Sequence, residues 1–261
     1  MCTNCTVQIR PAIATIQSML KKIDRLTLSS TSRHDLESIL VRQVTKELDR
    51  LLPWQAGHGE ETAALAHRIG QGLHLSDEAL HQLRLASLLH DIGLLMLPAR
   101  LQKKQAELSP DSYVTIQNHP RLGATLLEPF LFLREATVII AHHHEQWDGS
   151  GYPYGLRGEF IPLGARILAI ADAFQAIAVP QTPNRSLRDR IALRIMQVAS
   201  GTQFDPLVVD ALVELIRGTT LESITPYHRR TTYAGLEVGG PTPPTFLGKE
   251  PRLPGLLAAY K

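Results

Sequence analysis

The chain has 261 residues, 44% of them hydrophobic and 20% charged, which excludes a disordered chain, a fibrous repeat and a disulfide scaffold and leaves room for a substantial core. Its 27 basic and 25 acidic residues give a net charge of +2, too even a balance to gather nucleic acid or an anionic membrane through a global field. No apolar run approaches the ~20 residues of a bilayer span, and the opening MCTNCTVQIRP lacks a signal-peptide layout, so the expectation is a cytoplasmic protein with no membrane span and no DNA partner.

Cys2 and Cys5 form one C-x-x-C with no second pair to complete a zinc site and read as a reduced end. Ile13, Ile16, Leu20, Ile23 and Leu26 recur at three- and four-residue steps and predict a helix over about 11–28. A second helix is expected over 35–52, ended by Pro53. Further helices are predicted over 58–72, 77–92 with Ser76 as N-cap, 110–118, 121–128 and 131–145. His67, His74 and His81 recur at seven-residue steps and read as an exposed stripe crossing a loop. The glycine-rich stretch 148–158 must be a loop. Residues 161–179 are apolar nearly all round and read as a central buried helix, interrupted only by Arg166 and Asp172. Ser186 caps a helix to Ala199, and Asp205-Pro206 starts the last, to Ile216. No segment alternates as a strand would, so the fold class is all-α. The division is an N-terminal helical region (1–53), a central domain (54–218) and a proline-rich tail (219–261), with 1–53 open to roles as a dimerisation hairpin or a lid.

His58, His90, Asp91, His119, His142, His143, His144 and Asp172 are the residues able to hold a metal. Asp91 and Asp172 sit in apolar surroundings, where an unpaired carboxylate is expensive. Neutral histidines cannot balance them, and a metal can. An imidazole and carboxylate set suits Fe, Mn, Zn, Ni or Co. Neighbours on a helix point ~100° apart, so His90-Asp91 can address two adjacent ions, or Asp91 can bridge both. Two ions ~3.5–4 Å apart suit in-line displacement at phosphorus, with water between them as the nucleophile once it loses a proton.

His58, His90-Asp91-Ile92-Gly93, His119-Pro120, His143-His144-Glu145, Asp148-Gly149-Ser150-Gly151-Tyr152-Pro153 and Ala171-Asp172-Ala173-Phe174 resemble the ordered motifs of the HD-GYP family, over about residues 54–216. The resemblance implies an HD-domain helical bundle with a long glycine-rich GYP loop, two divalent ions (iron or manganese) and hydrolysis of a cyclic dinucleotide, chiefly cyclic di-GMP. It assigns His58, His90, Asp91 and Asp172 to one ion and Asp91, His119, His143 and His144 to the other. Asp91 is then the shared ligand that positions the nucleophile. Glu145, Asp148, Gly151, Tyr152, Pro153, Arg166 and Arg185 are candidates to support the ligands or touch substrate. Trp147 reads as core, and His142 as a support or surface residue. A protein partner at the GYP loop and a homodimer are further expectations.

The chain departs from the family pattern in places. Leu94 replaces the usual lysine after H-D-I-G, with Lys103 and Lys104 the nearest substitutes. Trp54, taken to share a helical face with His58, replaces a glutamate that holds a third ion in some members, which predicts two ions and a linear dinucleotide product, with further hydrolysis to GMP as the alternative. Gln175 replaces an aspartate, and only Arg185 offers a guanidinium nearby. Three readings follow: a cyclic di-GMP phosphodiesterase, a metal-bound but weakly active sensor or docking module, and an HD phosphohydrolase of another nucleotide.

Overall fold

The computed structural model describes residues 4–24, 30–102, 109–178 and 185–218. Ten α-helices order these residues: α1 (Asn4–Asp24), α2 (Ser30–Leu51), α3 (His58–Gly72), α4 (Asp77–Leu89), α5 (Pro110–Ile116), α6 (His119–Leu127), α7 (Arg134–His142), α8 (Leu163–Ala178), α9 (Arg185–Val198) and α10 (Pro206–Arg217). Among the described residues the only β pairing is an isolated bridge between Ser200 and Phe204. The all-α expectation holds.

Several boundaries follow directly from sequence signals. Ser76 accepts from the Ala79 amide and Ser109 from the Ser112 amide, so both hydroxyls satisfy otherwise orphaned donors at helix starts. Asp205 caps α10 in the same way through Leu207 N, ahead of Pro206 in the first turn. α9 starts at Arg185, one residue before the predicted cap, and α1 is described to Asp24, with 25–28 of the predicted helix outside the described residues.

α8 is the central helix, in contact with α3, α4, α7, α9 and α10. Its Ala165, Ile167, Leu168, Ile170 and Ala171 are fully buried. One continuous core runs through the bundle and includes Ile16, Leu20 and Ile23 of α1 and Val41, Val44 and Leu48 of α2. At about 1.5–3 kcal/mol for each large side chain withdrawn from water, the N-terminal helices share the stabilisation of the rest. No described helix is long and apolar enough to cross a membrane. Lys103, Lys104 and the proline-rich tail lie outside the described residues.

Two expectations fail for a common reason. Helix α4 stops at Leu89, and the chain tightens into a 3-10 run over Ile92–Met96. His90 and Asp91 therefore lie at a junction, not within a helix. Pro53–Gln55 is likewise a separate 3-10 turn, so Trp54 does not share a helix with His58. Its indole instead donates to the Gln102 carbonyl at 2.8 Å.

Candidate metal centre

Five chain segments bring the seven predicted ligands together. His58 is the first residue of α3, His90 and Asp91 follow the end of α4, His119 opens α6, His143 and His144 follow the end of α7, and Asp172 lies in the middle of α8. Helix ends supply most of the set because there the chain turns and aims successive side chains inward.

Close backbone approach fixes the register between two of these segments. A Cβ on Gly93 would lie 2.0 Å from the His119 carbonyl oxygen and 2.6 Å from Gly123 N. Only glycine lets the turn after Asp91 press against α6, and that contact sets His119 beside Asp91.

The ligand atoms fall into two groups. His58, His90 and Asp172 place one atom each within 4.8 Å of one another, and so do His119, His143 and His144. His58 Nε2 is 3.0 Å from Asp172 Oδ1. Asp91 stands between the groups, with Oδ1 3.1 Å from His119 Nε2 and Oδ2 3.2 Å from His90 Nε2.

The imidazoles are oriented by their own turns. His90, His119 and His143 each donate Nδ1–H to the carbonyl three residues earlier: Ser87 at 2.8 Å, Ile116 at 2.9 Å and Ile140 at 2.7 Å. When neutral, each ring then turns its Nε2 lone pair toward the centre. His119 Nε2 and His143 Nε2 then face each other at 3.3 Å. Two lone pairs so placed repel unless a proton or cation lies between them. This donor arrangement fits a bound metal.

Charge points the same way. Burial works against a charged His90, but the Asp91 and Asp172 carboxylates and the Ser87 carbonyl override it and push its pKa up to about 9. Burial would raise the Asp91 pKa, yet His90 and His119 hold it well below the usual carboxylate range. His143 is driven well down by burial and by the neighbouring His119 and His90. The expectation that histidine cannot balance the acids is thus corrected for the ion-free protein. There His90 carries the charge, and a divalent ion would supply it instead.

The other predicted residues divide. Glu145 is buried and its carboxylate accepts from Tyr154 N at 2.8 Å and Leu156 N at 3.0 Å, which ties down the glycine-rich loop. A Cβ on Gly151 would lie 2.2 Å from Gln146 N, so the loop folds back on its own start. The loop then carries Tyr152 to the His144 ring, 4.9 Å between centroids. Burial raises the Tyr152 pKa well above its ordinary value and keeps the phenol protonated. Pro153 follows it through a cis peptide bond. His142 lies against Tyr154 at 5.1 Å. Asp148 is exposed and accepts from Ser150 N at 2.8 Å, a turn contact away from the ligands.

Arg166 is not a site residue in this arrangement. It is buried, pairs with Asp205 at 2.6 Å, donates to the Ile161 carbonyl and lies over the Trp147 ring. Arg185 opens α9, and its side chain is outside the described set. Gln175 donates to the Glu61 carbonyl at 3.4 Å, and Leu94 is buried in the core. Sequence reasoning missed Gln55, whose amide donates to Asp91 Oδ2. Pro53 and Gly57 around it signalled a turn, and a turn here re-aims residue 55 and not residue 54.

The model of the HD domain family matches residues 42–208. The chain is 31% identical over 218 residues to the cyclic di-GMP phosphodiesterase response regulator RpfG of Xanthomonas campestris pv. campestris (strain 8004), covering 81% of this chain and 57% of that protein. It is 35% identical over 158 residues to the 3'3'-cGAMP-specific phosphodiesterase 1 of Vibrio cholerae serotype O1, covering 60% of this chain and 36% of that protein. The chain spans about half or less of the length of such curated relatives. Among solved structures, Bd1817, an HDG"Y"P protein from Bdellovibrio bacteriovorus, shares the fold, with a TM-score of 0.53 and 17% identity over 84% of this chain and 74% of that one.

Proposed function

The chain belongs to the HD domain family, in its HD-GYP branch, and we propose that it is a two-metal phosphodiesterase that opens a cyclic dinucleotide, cyclic di-GMP, to the linear dinucleotide. The observation that carries this reading is Asp91, with one carboxylate oxygen beside each histidine group. In this proposal His58, His90, Asp91 and Asp172 hold one ion, and Asp91, His119, His143 and His144 hold the other. Bound there, two divalent ions, iron or manganese, would polarise the scissile phosphate and lower the pKa of a water toward neutrality.

The chain's own residues then have defined tasks. Asp91 fixes the spacing of the two groups, and Gln55 fixes the orientation of Asp91. The Nδ1–H bonds of His90, His119 and His143 hold their rings in one tautomer. Tyr152, a protonated phenol beside His144, is placed to donate to a phosphate oxygen or to stack on a base. The names of the relatives support the substrate class, since those proteins are phosphodiesterases of cyclic di-GMP or 3'3'-cGAMP. The expectations of a cytoplasmic location, a homodimer and a partner at the GYP loop stand with this proposal.

A second reading, a weakly active sensor, rests on Leu94 and Gln175. Neither supplies charge, and both are engaged elsewhere. Turnover of cyclic di-GMP with manganese or iron supplied separates the two. The phosphodiesterase reading expects linear product from the wild type and loss of turnover and of bound metal in Asp91→Asn. Ligand binding without turnover, in both wild type and Leu94→Lys, would overturn it in favour of the sensor.

A further inference from the structure

A second cluster of metal-capable side chains lies where α2 crosses α4. His34 and Glu37 are one turn apart on α2, and Glu78 and His81 one turn apart on α4, so each helix offers a histidine and a glutamate at i and i+3. The pairs face each other crosswise. His34 Nε2 is 3.0 Å from Glu78 Oε2, and His81 Nε2 is 2.8 Å from Glu37 Oε2. The two imidazoles stack at 4.0 Å with 18° between planes. His34, Glu37 and His81 place one donor atom each within 4.8 Å of one another. The sequence pattern had suggested an exposed stripe through His81, but that side chain is buried, and so is Glu37.

We propose that His34, Glu37, Glu78 and His81 form a separate site for a divalent transition ion of the zinc class, clamping α2 to α4. The donor chemistry, two imidazoles and two carboxylates, suits such ions. A tetrahedral ion with ligand distances of about 2.1 Å spaces its ligand atoms about 3.4 Å apart. The donors of His34, Glu37 and His81 already lie within 4.8 Å of one another, so side-chain shifts alone bring these three to that spacing, and Glu78 Oε2, 3.0 Å from His34 Nε2, is at hand as the fourth donor. The carboxylates are already aimed. Arg33 Nε holds Glu37 Oε1 at 3.2 Å, and Gln82 Nε2 holds Glu78 Oε1 at 3.1 Å, which leaves each Oε2 toward a histidine. His34 and Glu78 are 34% and 56% exposed and give an ion a way in. His81 lies eight residues before Leu89, the last residue of α4, ~12 Å along the axis, and His90 follows beyond that end, so this site is distinct from the one around Asp91 and does not depend on the phosphodiesterase reading.

The test uses the full chain, stripped with a chelator and equilibrated with zinc or cobalt. Wild type is expected to bind one more ion per chain than His34→Ala. Its cobalt form should show the intense visible bands of tetrahedral coordination, lost in His34→Ala and retained in Asp91→Asn. Glu78→Gln, at an exposed position, should keep the fold and weaken this ion at least about 10-fold, the lower bound for losing even an outer-shell partner. Zinc should raise the melting temperature of wild type more than that of either α2/α4 variant. Equal ion counts and equal zinc affinities in wild type, His34→Ala and Glu78→Gln would overturn the proposal. Loss of the ion in Asp91→Asn alone would overturn it too.

Discussion

Gly93→Ala tests whether the packing of the turn after Asp91 against α6 sets the metal centre. The added methyl would lie 2.0 Å from the His119 carbonyl oxygen, against the 3.4 Å at which ordinary contact begins, so the two backbones must separate by about 1.4 Å. No flexible side chain can yield, because the clashing atoms belong to the main chain of His119 and Gly123. Overpacking of this kind costs about 1–3 kcal/mol of stability. A misplacement of about 1 Å at a catalytic group costs on the order of 100-fold in rate. His119 Nε2 lies 3.1 Å from Asp91 Oδ1, and separating the segments opens that distance first. The expected outcome is a folded variant with a lower melting temperature, cyclic di-GMP turnover down about 100-fold, and weakened binding at the His119, His143 and His144 group. Calorimetry, product chromatography and elemental analysis read these three. Turnover and metal content equal to wild type would refute the claim that this contact positions His119.

Metal uptake should depend on pH through His90. Its folded pKa of about 9 lies above the ordinary 6.5, so an ion must displace a proton. Apparent affinity should fall about tenfold for each unit of acidification below 9, measured by competition with a chelator. Because that pKa is raised on folding, His90 stabilises the ion-free protein fully below pH 6.5, and this contribution is lost as pH rises through 9. The chelated protein should therefore lose melting temperature between pH 6.5 and 9 by more than the loaded one, and a flat profile would contradict the charge assignment. Glu145→Gln leaves one acceptor for two amides and should cost about 1.5–3 kcal/mol, with faster hydrogen exchange at Tyr154 and Leu156 and unchanged metal content. Asp205→Ala strands the buried Arg166 guanidinium and removes the cap of α10. A loss of about 3–5 kcal/mol in denaturant unfolding is expected, with metal stoichiometry intact. A loss below about 1 kcal/mol would mean that Arg166 is not held as described.

The ligand set was readable because its members are costly residues in apolar company. Asp91, within the run Leu88-Leu89-His90-Asp91-Ile92, and Asp172, between Ala171 and Ala173, have no Lys or Arg beside them in the chain, and the structure brings histidines to both. Helix ends were harder to read. Ile92–Met96 is apolar and looks like more of α4, yet the chain tightens there, since the constraint is the approach of α6 and not local propensity. Arg166 shows the same blindness from the other side. Its partner Asp205 is 39 residues away, and nothing in the local pattern points to it. His81 looked solvent-facing on periodicity because α2, which covers it, packs there only in three dimensions. Gln55 gives no signal in the sequence because the adjacent Trp54 fits the family's register only in a helix that the chain does not form there.

The tethering of His90, His119 and His143 to their own preceding turns has a thermodynamic consequence. A loosely held side chain must be frozen when it captures a ligand, at a cost of about 0.5–1.5 kcal/mol each. These three rings are immobilised during folding, so the entropy is spent before any ion arrives. Capture then resembles a key entering a rigid lock, and the rings of the loaded protein should superpose on those described here.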